Sequence, residues 1–197
     1  MLKWESYFPS LPDNVVAGAE LILGVKLPDG YRALAQAWPG GHPDRTDFVV
    51  NHSRRSWVSC VGALLSLDPR QPENVFQSIA DLAIDSQLPA SLLPIITDGG
   101  GDLLCLDYRG NKDEPAVVYW AHELGGDEAV VPVSPSFDSF LQLLEDEAAA
   151  PPRQDSDEGA CRCSRRWRRR DIGVASRRPL GGAPAAERQG VRRTEWR

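Results

Sequence analysis

Leu92-Leu93-Pro94-Ile95-Ile96, Asp98-Gly99-Gly100-Gly101-Asp102, Leu103-Leu104-Cys105-Leu106-Asp107-Tyr108 and Ala116-Val117-Val118-Tyr119-Trp120 make up the stretch that decides the fold. Short apolar runs bounded by glycines or polar clusters read as strands. Arg109-Gly110-Asn111-Lys112-Asp113-Glu114 is a polar loop that joins the last two runs as a hairpin. The glycine run does not suit a phosphate-cradling loop. No Lys-Ser/Thr follows it, a strand rather than a helix comes next, and Asp98 and Asp102 flank it with negative charge. It reads instead as a turn needing positive φ, with the carboxylates bonding nearby backbone amides.

Helical spacing lies on both sides of this stretch. Asp13 is placed to cap a helix through Val15, Val16, Ala19 and Ile22, which Gly24 ends. Pro28 opens a second helix whose apolar residues Tyr31, Leu34, Ala35 and Trp38 fall at i, i+3, i+4 and i+7, and Pro39-Gly40-Gly41 stops it. Two β-like runs follow, Phe48-Val49-Val50 and Trp57-Val58-Ser59-Cys60-Val61, and then an apolar run from Leu64 to Leu67. Val75, Ile79, Leu82 and Ala83 predict a third, short helix beginning near Asn74. Ser136 can cap a last helix with the stripe Phe137, Phe140, Leu141 and Leu144. Helices at both ends around a mainly antiparallel central sheet predict an α+β fold in a single domain.

The character of the chain changes past Glu147. Ala148-Ala149-Ala150-Pro151-Pro152 is a breaker, and beyond it only Ile172, Val174, Leu180 and Val191 supply large aliphatics. Such a segment buries too little apolar surface to offset its ordering entropy, so residues 148–197 are expected to be a disordered, Arg-rich tail behind a domain of residues 1–147. Charge divides at the same place. Residues 1–150 hold 9 Lys+Arg against 22 Asp+Glu, a net of -13, whereas residues 151–197 hold 13 Arg against 6 Asp+Glu, a net of +7. The overall -6 therefore conceals an acidic body and a basic tail. Arg165-Arg166-Trp167-Arg168-Arg169-Arg170 could act as a nucleic-acid arm, while the acidic body is unsuited to holding phosphate. An Arg-rich, Lys-free tail with Gly, Ala and Pro is also what an out-of-frame reading of GC-rich DNA yields, and that reading is preferred. No apolar run is long enough to span a membrane, and Met1-Leu2-Lys3-Trp4-Glu5-Ser6 lacks the apolar stretch of an export signal, so a cytoplasmic location is expected.

The residue types that carry chemistry form no catalytic or metal pattern. Cys60 and Cys105 lie in apolar runs, where a cysteine behaves as a small buried hydrophobe, and Cys161-Arg162-Cys163 lacks the spacing and partners of a zinc knuckle. His42 and His52 have no companion motif, and no Gly-x-Ser-x-Gly elbow is present. Asp102, Asp107, His122 and Glu123 could converge across the hairpin, but His122-Glu123 lacks the second His of a helical zinc motif. Structural hydrogen bonding at a sheet end is the favoured role for them. The alternative is a partner-binding surface of Asp102, Asp107, Tyr108, Trp120, His122 and Glu123, with the aromatics as anchors beside carboxylates. Against that, both rings could simply be core. No cofactor or metal is expected, and the oligomeric state is open.

The chain resembles the SUKH superfamily, the Smi/Knr-like proteins. The resemblance begins at Ala19-Glu20-Leu21, runs through Leu23-Gly24-Val25-Lys26-Leu27-Pro28, and is strongest at Asp98–Asp107 and Pro115–Glu123. Ser136-Phe137-Asp138-Ser139-Phe140-Leu141 resembles the closing helix. Trp38-Pro39-Gly40-Gly41 stands where the family usually has an Asn-Gly turn, and the Asn is absent here. The likeness spans about residues 14–146 and leaves out the tail. It implies a compact α+β binding module with no enzymatic activity. In bacteria such modules commonly neutralise a protein toxin, often a nuclease, by direct binding; eukaryotic relatives imply the alternative of a regulatory or scaffolding module. An acidic body would be steered towards a basic partner, and nucleases that grip phosphate are usually basic.

Overall fold

The computed structural model describes residues 2–84, 88–98 and 100–145. The elements run β1 (Trp4–Glu5), α1 (Asp13–Leu23), α2 (Asp29–Ala37), β2 (His42–Pro43), β3 (Asp47–Asn51), β4 (Ser56–Cys60), β5 (Ala63–Leu64), α3 (Val75–Ile84), β6 (Leu92–Thr97), β7 (Leu103–Asp107), β8 (Ala116–Trp120), β9 (Val130–Ser134) and α4 (Phe137–Glu145). A short 3-10 turn, Gly126–Ala129, precedes β9. The fold is α+β, as the sequence predicts, with N-terminal helices, antiparallel sheets and a C-terminal helix. The expected tail at 148–197 lies outside the described residues.

The central sheet has five strands in the order β5-β6-β7-β8-β9, every neighbouring pair antiparallel. Two antiparallel pairs, β1–β2 and β3–β4, stand beside it. Both faces of β7 and β8 are covered, which explains their continuous apolar sequence where one-sided burial would leave alternation. Leu104, Leu106, Val117 and Tyr119 face the main core with Tyr31, Phe48, Phe137 and Phe140. Leu103, Cys105, Val118 and Trp120 face a second cluster with Leu92 and Ala129.

Helix boundaries follow local chemistry, with differences from the sequence reading. Asp13 is the first residue of α1, not its cap; Pro12 holds the cap position with no side-chain cap bond. The Asp13 carboxylate instead accepts the Gln36 side-chain amide at 2.5 Å, tying α1 to α2. Gly24 closes α1 in the left-handed conformation at φ 67°, as expected. The buried residues of α1 are Val16 and Ala19, whereas Ile22 is 72% exposed. Its neighbour Glu20 explains that rotation: it turns inward to accept the Leu27 amide at 3.0 Å and pair with Arg32 at 3.5 Å. Asn74 caps α3 by accepting the Gln77 amide at 2.9 Å, and Ser136 caps α4 through the Ser139 amide at 3.2 Å.

Candidate functional site

The strongest polar cluster sits where the β6–β7 turn meets the end of β8. Asp98 Oδ1 accepts the amides of Gly100, Gly101 and Asp102 at 2.6, 3.1 and 3.1 Å, so this carboxylate folds the turn around itself. Gly101 adopts φ 112°, and a Cβ there would sit 3.2 Å from the His122 ring. The turn therefore needs glycine for conformation and for space.

The other Asp98 oxygen points inward. Tyr119 Oη lies 2.7 Å from Asp98 Oδ2 and 2.6 Å from Asp102 Oδ2, and Ser59 Oγ donates to it at 3.2 Å. A phenol carries one proton, so Tyr119 can donate to only one of the two carboxylates at a time. Burial first, and the Asp102 carboxylate next, push the Tyr119 hydroxyl well above its ordinary value, so it stays protonated. Asp102 Oδ1 in turn accepts the His122 amide at 2.8 Å and lies 2.6 Å from His122 Nδ1. The result is a chain of contacts from buried Ser59 to the exposed His122 ring.

The six residues singled out from the sequence do not converge. Leu103 pairs with Trp120 and Asp107 with Ala116, which puts Asp102 and His122 at one end of the hairpin and Asp107 and Tyr108 at the other. The ends are separated by roughly 13 Å of strand. At the first end, His122 and Glu123 are exposed and Asp102 is half-buried. At the second, Arg109 grips both Asp107 oxygens at 2.7–3.1 Å and holds that carboxyl below its usual range. Tyr108 is half-buried and donates from its hydroxyl to Lys26 O at 3.0 Å, while burial pushes its pKa up. Trp120 is a core ring, 2% exposed, with its indole N–H unpartnered. Of the two aromatics read as either anchor or core, Trp120 belongs to the core.

Ser59 and Tyr119, which carry no catalytic or metal-binding motif in the sequence, join the two aspartates. The available signal was register: a hairpin pairing Leu103 with Trp120 sets Tyr119 beside the Asp102 end, on the core face. Among the described residues no group of three or more His, Cys, Asp or Glu is placed to hold a metal ion. Cys105 is a free thiol at 0% exposure, pushed well up by burial, and Cys60 is buried as well but is not a free thiol. The arrangement is that of a hydrogen-bonded structural clasp whose outer residues, His122 and Glu123, face solvent.

The sequence profile of the SMI1 / KNR4 family (SUKH-1) matches residues 11–143. No curated protein matches the chain. Among solved structures, a protein from Pseudomonas syringae pv. tomato is 18% identical, with 72% of this chain and 90% of that one covered, at a TM-score of 0.38.

Proposed function

The chain belongs to the SMI1 / KNR4 family (SUKH-1), and from that premise we propose that it is a bacterial immunity protein that neutralises a protein toxin by binding it directly, without catalysis. The family is known for immunity proteins of polymorphic toxin systems. The observation that supports a basic toxin is the charge of the body, 9 Lys+Arg against 22 Asp+Glu over residues 1–150. A field of that sign steers association with a basic protein and disfavours phosphate, so a nuclease is the toxin class of choice. Residues 1–147 form the proposed binding domain, acting in the cytoplasm with no cofactor. Among the described residues no helix is long and apolar enough to cross a membrane.

The proposed contact residues are those at the two ends of the β7–β8 hairpin: Asp102, His122 and Glu123 at one, Asp107 and Tyr108 at the other. Trp120, a core ring at 2% exposure, is not among them. Co-expression of the full chain with the toxin-like reading frame beside its gene tests the proposal. Rescue of growth together with a stable complex is expected. A toxin that stays lethal and uncomplexed refutes it and leaves the regulatory or scaffolding reading.

A further inference from the structure

β1, β2 and the end of α2 border a half-open cavity of about 430 Å³, lined by Trp4, Glu5, Ser6, Tyr7, Trp38 and His42. Three of the six are Trp or Tyr, one is an exposed carboxylate, and none is Lys or Arg. Trp4 is fixed in the main core, and Trp38 at the end of α2 is 39% exposed. Glu5 stands in register with His42 on the β1–β2 pair.

The walls are held by the turn after α2. Ser6 Oγ donates to Pro39 O at 2.5 Å, and the Gly41 amide donates to Trp38 O at 3.0 Å. A Cβ at Gly41 would lie 2.8 Å from Trp38 O and 3.0 Å from Glu5 O. The turn thus packs directly onto β1 and fixes Trp38 relative to Trp4 and Glu5. Indole and phenol faces are electronegative and attract cations, most strongly where a carboxylate adds its charge. A guanidinium is flat, weakly hydrated and stacks on such faces, which an ammonium does less well.

We propose that the aromatic cavity formed by Trp4, Glu5, Tyr7 and Trp38 is a binding site for an arginine side chain of a basic protein partner. The partner rests on the function proposed above; the guanidinium specificity does not. Arginine and tryptophan dominate the energetics of many interfaces, so one such anchor would account for a large share of affinity.

The test uses the full chain, with indole N–H resonances of Trp4 and Trp38 followed by NMR during titration with acetyl-arginine-methylamide. Saturable shifts at both indoles are expected, with the neutral isostere acetyl-citrulline-methylamide binding roughly ten-fold more weakly. Trp38→Leu and Glu5→Gln alter exposed side chains and should each weaken the arginine probe about five-fold or more while the rest of the spectrum keeps its dispersion. Equal binding of the citrulline probe, no saturable shift, or unchanged affinity in Trp38→Leu overturns the proposal. A toxin bound equally by wild type and Trp38→Leu overturns this site and leaves the immunity reading standing. Absence of any toxin complex refutes that reading while the arginine titration still decides this one.

Discussion

Replacing Tyr119 by Phe removes one oxygen from the centre of the clasp and nothing else. The ring keeps its edge contacts with Phe48 at 6.1 Å and Trp57 at 5.9 Å, so packing is preserved. The hydroxyl it loses lies 2.6 Å from Asp102 Oδ2 and 2.7 Å from Asp98 Oδ2 and accepts from Ser59 at 3.2 Å. Asp98 Oδ1 retains its three amides and Asp102 Oδ1 retains His122, so the loss is one hydrogen bond to a charged group and the one accepted from Ser59, whose hydroxyl still reaches Asp98 Oδ2 at 3.4 Å. Such a bond contributes about 1.5–3 kcal/mol, and two carboxylates left facing each other without the bridging proton add to the cost. For a domain of this size the melting temperature of Tyr119→Phe is expected to fall by roughly 4–10 °C. Thermal and urea unfolding of the full chain, followed by circular dichroism, measure it, with the urea slope unchanged. A double-mutant cycle with Asp102→Asn should return a coupling above about 0.5 kcal/mol. A drop under about 1.5 °C, or full additivity, would mean that the hydroxyl does not join the two aspartates.

Further expectations follow from individual positions. Asp107, held below its usual range chiefly by the Arg109 side chain, contributes stability that is present above its unfolded value of about 3.9 and is lost as pH falls through its lower folded value. Because Arg109 is half-exposed, Asp107→Asn should cost under about 1 kcal/mol at neutral pH, and urea titrations should show that cost shrinking below about pH 4. Gly41→Ala puts a Cβ 2.8 Å from a backbone oxygen and should lower stability by about 1–3 kcal/mol, read from the urea midpoint. Cys105, buried with its thiol pushed well up, should resist iodoacetamide at about pH 8 until the chain unfolds, with peptide mass spectrometry locating the label. His122→Ala alters a ring that is 41% exposed and should leave the melting temperature within about 3 °C, so loss of toxin binding in it would report contact rather than unfolding.

The α+β class, the β7–β8 hairpin, the start of α3 near Asn74, the cap at Ser136 and the glycine stop of α1 were legible in the sequence, because each depends on residues close in the chain. Apolar runs between polar loops mark strands wherever they pair, and cap chemistry acts within one helical turn. β9 was not legible. Pro132 interrupts its apolar pattern, and the strand exists because it is the edge partner of β8, with a register shift between Val117 and Val118. The orientation of α1 was equally a tertiary matter, since Glu20 turns inward only once Leu27 and Arg32 are beside it.

The sequence alone determined that Asp98, Asp102, Asp107 and His122 lie near one hairpin, and that the body is acidic and short of catalytic motifs. Only the tertiary structure decided which of them meet. Antiparallel pairing carries Asp102 to His122 and Asp107 away from it, while burial on both faces draws Trp120 into the core and places Tyr119 between two carboxylates. The physical reason is that pairing register and two-sided burial are properties of the assembled sheet, set between its strands and the layers that cover them and not by any strand alone.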